Sequence, residues 1–399
     1  MADRDGVELQ RVRTGEPRLD ALIDGGFPIN TLNIIMGPPG TGKTILAEQV
    51  LFENARGERP VVYVSTLAEP MSKMVTFLQR FSFYDADLMM EQVFYEDVGA
   101  ALLEGGAVTL VDRVREILLE REPAILIIDS FKVLHDLARD EREMRMVSAR
   151  LARLLAGYSV TAFLVGEYAR DAMTRYPEFA VADGVVQMIR EPADNRDNRR
   201  IRILKLRGSD YRQGNHAFSI SDAGIHLYPR LVSPGSSEDY EHWDERLSTG
   251  VSGLDGLLDG GLWRGTSTIV LGPSGAGKTS LGLSFALEGA RSGQPTTYLN
   301  FQENPTQLRR AAGNLDPDLD VYQDDTIFFT YRSPVEMQID SVVVALFEQI
   351  EREGIERVVI DALGDLALAA ASRERFHDYL YATVQHFAAR GVTSMLLLE

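Results

Sequence analysis

The sequence predicts an α/β protein of two tandem domains with mainly parallel sheets, the second incomplete at its C-terminal end. Three observations predict this. Short apolar strands alternate with helix-period segments. One glycine-rich stretch occurs twice. The surroundings of the two copies match, in a chain of 399 residues that is too long for one ordinary core.

The repeat runs without a gap at first. Thr14-Gly15 matches Thr249-Gly250, Leu19-Asp20 matches Leu254-Asp255, and Gly25-Gly26-Phe27 matches Gly260-Gly261-Leu262. Lys43 matches Lys278 and Pro70 matches Pro305, all at an offset of 235. Asp129 and Asp361, like Glu167 and Glu399, match at 232, so a small deletion falls within Tyr84 to Ala107. The first domain is expected over 1–231, a polar and turn-rich linker over 232–247, and the second domain over 248–399. The second copy stops on the strand that matches Phe163 to Glu167. The counterpart of Tyr168 to Pro229 is therefore outside the chain, and a longer natural chain is the expectation. A sheet lacking those strands exposes an edge.

Within the first copy the expected strands are Leu32–Met36, Val61–Ser65, Ile125–Asp129, Ala162–Gly166, Val185–Ile189 and Ile201–Lys205, then His216–Ile220. Helices are expected over Ile45–Asn54, Val108–Glu120 and Glu143–Ala156. In the last of these Val147, Leu151, Leu154 and Leu155 form the apolar stripe, and Arg142, Arg145, Arg150 and Arg153 a solvated face. The second copy repeats the start of this order, with strand Thr268–Leu271, helix Ser280–Ala290 and strand Arg357–Asp361.

Composition narrows the functional class. Hydrophobic content of 45% and charged content of 25% are ordinary for a soluble globular protein. No apolar run reaches the ~18 residues of a membrane helix. Met1-Ala2-Asp3-Arg4-Asp5 is charged and opens no signal peptide, so a cytoplasmic location and no membrane partner are expected. The chain has no cysteine, which excludes disulfides, thiolate metal sites and cysteine catalysis. Its 6 histidines lack metal-ligand spacing. A net charge of −18 opposes nucleic acid as the main partner.

The duplicated stretch carries the chemistry. Gly37-Pro38-Pro39-Gly40-Thr41-Gly42-Lys43-Thr44 and Gly272-Pro273-Ser274-Gly275-Ala276-Gly277-Lys278-Thr279 both fit G-x-x-x-x-G-K-[ST] between a strand and a helix. Glycines let the backbone turn tightly and aim N–H groups at phosphate oxygens, and the helix N-terminus adds its positive end. Lys43 and Lys278 are expected on the β- and γ-phosphates of ATP, and Thr44 and Thr279 on Mg²⁺. The plain alternative is a glycine-rich turn without a ligand, and two copies in matching surroundings weigh against it. Asp129 and Asp361 end apolar strands downstream, where open α/β sheets bind ligands, and are expected on Mg²⁺ or its water.

The pattern T-G-x-x-x-L-D-x-x-x-x-G-G, the phosphate loop and Asp129-Ser130 together resemble the RecA superfamily. Ile203-Leu204-Lys205-Leu206-Arg207-Gly208, then Phe218-Ser219-Ile220-Ser221-Asp222-Ala223-Gly224-Ile225, resemble the KaiC-type double-domain ATPases more closely, as do Phe179 and Asp183-Gly184-Val185. The resemblance implies two RecA-like domains, ATP and Mg²⁺, and a homo-oligomeric ring, a hexamer in that family, with ATP between neighbours. It implies that Lys205 and Arg207 reach the adjacent subunit's γ-phosphate. An arginine supplied in trans is worth ~10³–10⁵ in rate. Residues i and i+2 of a strand share a face, which suits the pair. Two surface basic residues on an edge strand are the plain alternative.

One motif departs from that family. Its F-E-E-x-P reads Phe301-Gln302-Glu303-Asn304-Pro305 in the second copy, so Gln302 replaces the first carboxylate and Glu303 remains. In the first copy Leu67 and Ala68 occupy both positions, and Glu69 stands one residue out of register before Pro70. An amide cannot accept a proton as a carboxylate does, although it can position water. The expectation is slow hydrolysis, slower in the first domain, with a conformational output read by regulatory protein partners. Autokinase activity is a subsidiary expectation, because the relevant segment of the family lies beyond residue 399. Two rivals stay open: a RecA/RadA-type DNA-binding recombination or repair ATPase, and an ATP-bound oligomeric scaffold with negligible hydrolysis.

Overall fold

The computed structural model describes residues 9–66, 71–169, 171–193, 196–234, 240, 243–322, 325–333, 337–370 and 372–399. The chain divides into two compact units, Met1–Arg230 and Leu231–Glu399. Both are α/β with parallel sheets at their centres.

The first unit opens with a small antiparallel ribbon, β1 (Arg11–Val12) on β2 (Phe27–Pro28). The T-G-x-x-x-L-D motif forms a clasp beside it. Asp20 Oδ1 accepts from the Thr14 backbone N–H at 2.8 Å and from its hydroxyl at 2.7 Å. The main sheet then takes β3 (Leu32–Met36), β4 (Val61–Ser65), β5 (Val93–Asp97), β6 (Ile125–Asp129), β7 (Thr161–Gly166), β8 (Gly184–Ala193), β9 (Arg196–Leu206), β10 (His216–Ser221) and β11 (Gly224–Tyr228). Its nine strands lie in the order β11-β10-β9-β8-β3-β7-β6-β4-β5. From β8 across to β5 the strands are parallel. β8 to β11 run antiparallel to one another. The expected strands Leu32–Met36, Val61–Ser65 and Ile125–Asp129 keep those bounds, whereas the two C-terminal ones lengthen into the β8–β9 hairpin. β5 was not expected, because its half-buried edge sequence alternates too weakly to stand out from a loop.

Side-chain alternation splits the core into two layers. Ile34, Val62, Ile128 and Leu164 face one way, against the helices Thr109–Arg121 and Glu141–Gly157. Ile35, Tyr63, Ile127 and Val165 face the other, against the helix Lys43–Asn54. Each fully buried aliphatic side chain contributes roughly 1.5–3 kcal/mol over leaving it in water. Arg142, Arg145, Arg150 and Arg153 are exposed, opposite the buried Val147, Leu151 and Leu155.

The second unit repeats the plan. A ribbon pairs β12 (Arg246–Leu247) with β13 (Leu262–Trp263), and Asp255 Oδ1 accepts from the Thr249 N–H at 2.8 Å and hydroxyl at 2.6 Å. Its sheet holds β14 (Ser267–Leu271), β15 (Thr296–Asn300), β16 (Ile327–Tyr331), β17 (Arg357–Asp361) and β18 (Thr393–Leu398). These five strands are all parallel, in the order β14-β18-β17-β15-β16. β14, the counterpart of β3, is an edge strand here, with Ile269 54% and Leu271 74% exposed. Among the described residues no helix is long and apolar enough to cross a membrane.

Candidate functional site

In a parallel sheet with helices on both faces, the crevice forms at the C-terminal strand ends. β3 ends at Met36 and the helix Lys43–Asn54 starts at Lys43, so the intervening residues must reverse the chain in one tight loop. Gly42 caps the helix in the left-handed region at φ 97°, and Gly277 does so at φ 88° before the helix Lys278–Arg291. Only glycine takes that conformation at little cost.

Each loop lysine rests on its own loop. Lys43 Nζ donates to the Pro38 carbonyl at 2.8 Å and lies 3.9 Å from Glu167. Lys278 Nζ donates to the Gly272 and Pro273 carbonyls, both at 2.8 Å, and lies 3.9 Å from Glu399. Burial lowers the Lys43 pKa from its usual value, and the charges of Glu167 and Asp129 oppose that shift. The repeat pair Glu167 and Glu399 thus acquires a place beside the loop lysine, which the repeat alone did not assign.

The strand-end aspartates meet the loop threonines. Thr44 Oγ1 donates to Asp129 Oδ2 at 2.8 Å, and Thr279 Oγ1 to Asp361 Oδ2 at 2.9 Å. Both aspartates precede a cis peptide bond. A second hydroxyl converges on each: Tyr63 on Asp129 at 2.7 Å and Tyr298 on Asp361 at 2.7 Å. Burial, then the aspartate's charge, hold both tyrosine pKa values well above normal, so they remain donors. Sequence reading missed the tyrosines, although they match at the repeat offset of 235.

The donor chemistry fits a hard divalent ion. A hydroxyl and a carboxylate at hydrogen-bond distance can share such a cation, and Mg²⁺ takes one or two carboxylates with substrate phosphates and water. Among the described residues no cluster of three or more His, Cys, Asp or Glu could hold a metal. An ion at either site would take its remaining ligands from water or from a bound phosphate.

The first loop opens into a cleft of about 1050 Å³. Lys43, Thr44 and Asp129 line it together with Phe81, Ile220 and Asp222. The last three suit the apolar face and polar edge of a nucleoside. Phe81 follows the helix Met71–Leu78, Ile220 lies on β10 and Asp222 in the turn after it, and no local motif announces them. The loop is closely walled. A Cβ on Gly37 would meet the Met188 carbonyl oxygen at 2.1 Å, and one on Gly42 would meet Ile220 Cδ1 at 2.7 Å. A Cβ on Gly275 or Gly277 would meet nothing within 4 Å.

The fully buried Glu48 also lines the first cleft, one helical turn after Thr44. Its Oε2 accepts from the Tyr95 hydroxyl at 2.6 Å, while its Oε1 has no partner among the described residues. Burial pushes this carboxyl up to about 8 against the opposing hydrogen bond.

The expected catalytic residues are dispersed. Glu69 lies outside the described residues, as do Leu67 and Ala68. Gln302 Nε2 donates to Asp365 Oδ2 at 2.8 Å. Glu303 is half-buried, and its charge bears on Tyr298 beside Asp361. Lys205 sits near the end of β9 and donates to the Ala182 and Phe179 carbonyls. Arg207 falls just beyond that strand, 3.4 Å from Asp183. The two side chains share a neighbourhood, the segment 179–183, and the Arg207 N–H, just past the end of β9, still donates to the Asp183 carbonyl at 3.0 Å. Burial, and then the charge of Arg207, lower the Lys205 pKa.

A family model described as "ATPase: KaiC" matches residues 12–232 and again 247–399. The chain is similar to circadian clock protein KaiC3 of Synechocystis sp., at 27% identity over 92% of this chain and 74% of that protein. It is similar to circadian clock oscillator protein KaiC of Picosynechococcus sp., at 27% identity over 90% of this chain and 71% of that protein. Circadian clock protein KaiC2 of Synechocystis sp. is 25% identical over 98% of this chain and 70% of that protein.

Proposed function

The chain belongs to the KaiC ATPase family, and on that premise we propose that its two domains, 1–231 and 248–399 joined by 232–247, bind Mg²⁺-ATP between neighbouring subunits of a ring. The ring hydrolyses ATP slowly and presents its nucleotide state to partner proteins. One observation carries the reading: in both units a loop threonine meets a strand-end aspartate beside a loop lysine.

Each group has a separate task. The loop N–H groups and Lys43 or Lys278 bind phosphate, the lysine exchanging its carbonyl partners for phosphate oxygens. Thr44 with Asp129, and Thr279 with Asp361, hold the cation, while Tyr63 and Tyr298 fix the aspartates. A cation held there would supply positive charge to offset charge developing on the transferred phosphoryl group. Lys205 and Arg207 are assigned to the neighbour's γ-phosphate. Their present partners, two carbonyls and one carboxylate, are acceptors that phosphate oxygens can replace. Glu303 is the candidate for orienting water in the second domain. Gln302 is engaged by Asp365, and Leu67 and Ala68 supply no carboxylate in the first, which supports slow turnover.

The test is native mass with ATP, with ADP and with neither, alongside phosphate release with and without DNA. The expected result is assembly favoured by ATP and slow release indifferent to DNA. Assembly without any release returns the scaffold reading. DNA-stimulated release, with strongly salt-dependent DNA affinity, returns the recombinase reading. Autophosphorylation is a subsidiary element, read in the same reaction as γ-phosphate transfer to the protein.

A further inference from the structure

Glu178 is fully buried at the start of the short helix Glu178–Val181, and the site above makes no use of it. Its Oε1 accepts from the Tyr168 hydroxyl at 2.6 Å and lies 2.9 Å from His135 Nε2. Its Oε2 is buried without a partner among the described residues. A buried carboxylate with one oxygen unmatched costs stability. Packing alone is therefore a poor reason for a glutamate at this position.

What it connects gives a better reason. His135 belongs to the segment 131–137 directly after β6, whose Lys132, Val133 and Asp136 line the nucleotide cleft. On the other side, the Glu178 helix runs into Ala182 and Asp183. Lys205 donates to the carbonyls of Phe179 and Ala182, and Arg207 pairs with Asp183. Tyr176 fills the gap. Its ring meets the edge of His135 at 4.6 Å and carries the Lys132 ammonium 5.1 Å above it. A one-turn helix has almost no stability of its own, so side-chain anchors decide where it sits.

We propose that Glu178 is a positioning residue for ATP hydrolysis. It clamps the cleft wall at His135 to the segment that holds Lys205 and Arg207, so that nucleotide in the cleft governs how those two basic side chains are presented. This rests on the reading that Lys205 and Arg207 serve a neighbouring subunit's nucleotide.

The experiment is amide hydrogen exchange on the full chain with and without ATP, at matched assembly checked by native mass, together with steady-state kinetics. In the parent, ATP slows exchange at 203–207 about tenfold, the size of an ordinary coupling. In Glu178→Gln that slowing is lost while the slowing at 37–44 persists. With Lys278→Ala in the background, so that first-domain turnover alone is read, kcat falls about tenfold with KM within about twofold, and adding Lys205→Ala brings no further loss. A merely structural role would lower protection at both places. Slowing at 203–207 that survives Glu178→Gln, or losses that multiply in the double variant, overturns the proposal. If Lys205→Ala leaves turnover unchanged in that background, the trans role of Lys205 fails, and the exchange pattern alone then decides on Glu178. Should Glu178→Gln not fold, Tyr168→Phe removes one of the two partners and is judged by the same criteria.

Discussion

Gly37 and Gly272 open the same motif and meet different surroundings. Gly37 has its backbone against the carbonyl of Met188 on β8, and its strand, β3, lies between β7 and β8. At Gly272 a Cβ would find the Ala276 Cβ at 3.3 Å, and its strand, β14, is an edge. The threonine–aspartate pair is the same in both units, and so is the lysine's contact with the loop proline carbonyl, to which Lys278 adds the Gly272 carbonyl. The motif thus dictates the loop and its polar partners, whereas distant strands build the cleft around it. A second difference lies underneath. Glu48 and Tyr95 of the first unit are replaced by Leu283 and Phe329, since Tyr95 pairs with Tyr63 in the register in which Phe329 pairs with Tyr298.

The comparison is most exposed to disproof through the loop lysines. Lys278→Ala is expected to remove most phosphate release, tenfold or more, on the scale of losing one charge-stabilising donor, ~10²-fold. Lys43→Ala leaves release within about twofold and weakens assembly instead. Single-turnover assays with native mass check both, and fast turnover persisting in Lys278→Ala would reverse the roles of the domains.

Backbone crowding gives the next effect. Gly37→Ala drives a Cβ into a carbonyl oxygen at 2.1 Å, at φ 156°, and should destabilise the first domain by roughly 3 kcal/mol. A denaturant midpoint left unchanged by Gly37→Ala would mean that the Met188 carbonyl does not wall the first loop.

A pH dependence follows from Glu48. Its carboxyl titrates near 4.5 when unfolded and about 8 when folded, so between those values only the folded state keeps the proton. Stability from this group is fully present below pH ~4.5, is lost progressively up to about 8, and is flat above. Glu48→Leu, the second unit's solution, should remove that decline and gain roughly 1–3 kcal/mol at pH 8. Denaturant titrations of parent and variant from pH 5 to 8.5 decide it, and parallel curves contradict the assignment.

The smallest effect sharpens what the domains share. Tyr63→Phe and Tyr298→Phe each remove one hydroxyl from a strand-end aspartate and should each cost about 1 kcal/mol. Unequal losses would show that the two aspartates are not held alike.

These contrasts mark how far the sequence was legible. Strands β3, β4 and β6 and the loop helices were readable because apolar runs and glycine spacing are local properties. Lys43, Thr44 and Asp129 were readable because phosphate chemistry fixes residue type at each position. The cleft wall was not, since Met188 and Ile220 reach the loop only through the strand order. Glu48 was hidden because a glutamate in a helix reads as solvated, and only tertiary packing buries it. Lys205 and Arg207 were singled out by pattern alone, whereas their common ground, the segment 179–183, comes from tertiary pairing. Glu69 stands outside the described residues, so its out-of-register place remains a reading of sequence.

The contact between Gly42 and Ile220 has a consequence in time. Ribosomes add roughly 5–20 residues per second, so at least about ten seconds separate the synthesis of the first loop from that of β10 and β11. Throughout that interval the nascent chain carries the loop without its wall. Pairing so remote in sequence also pays its loop-closure entropy late. The wall that Ile220 gives the first cleft is therefore added only after the loop, its lysine and both metal-binding candidates have been synthesised.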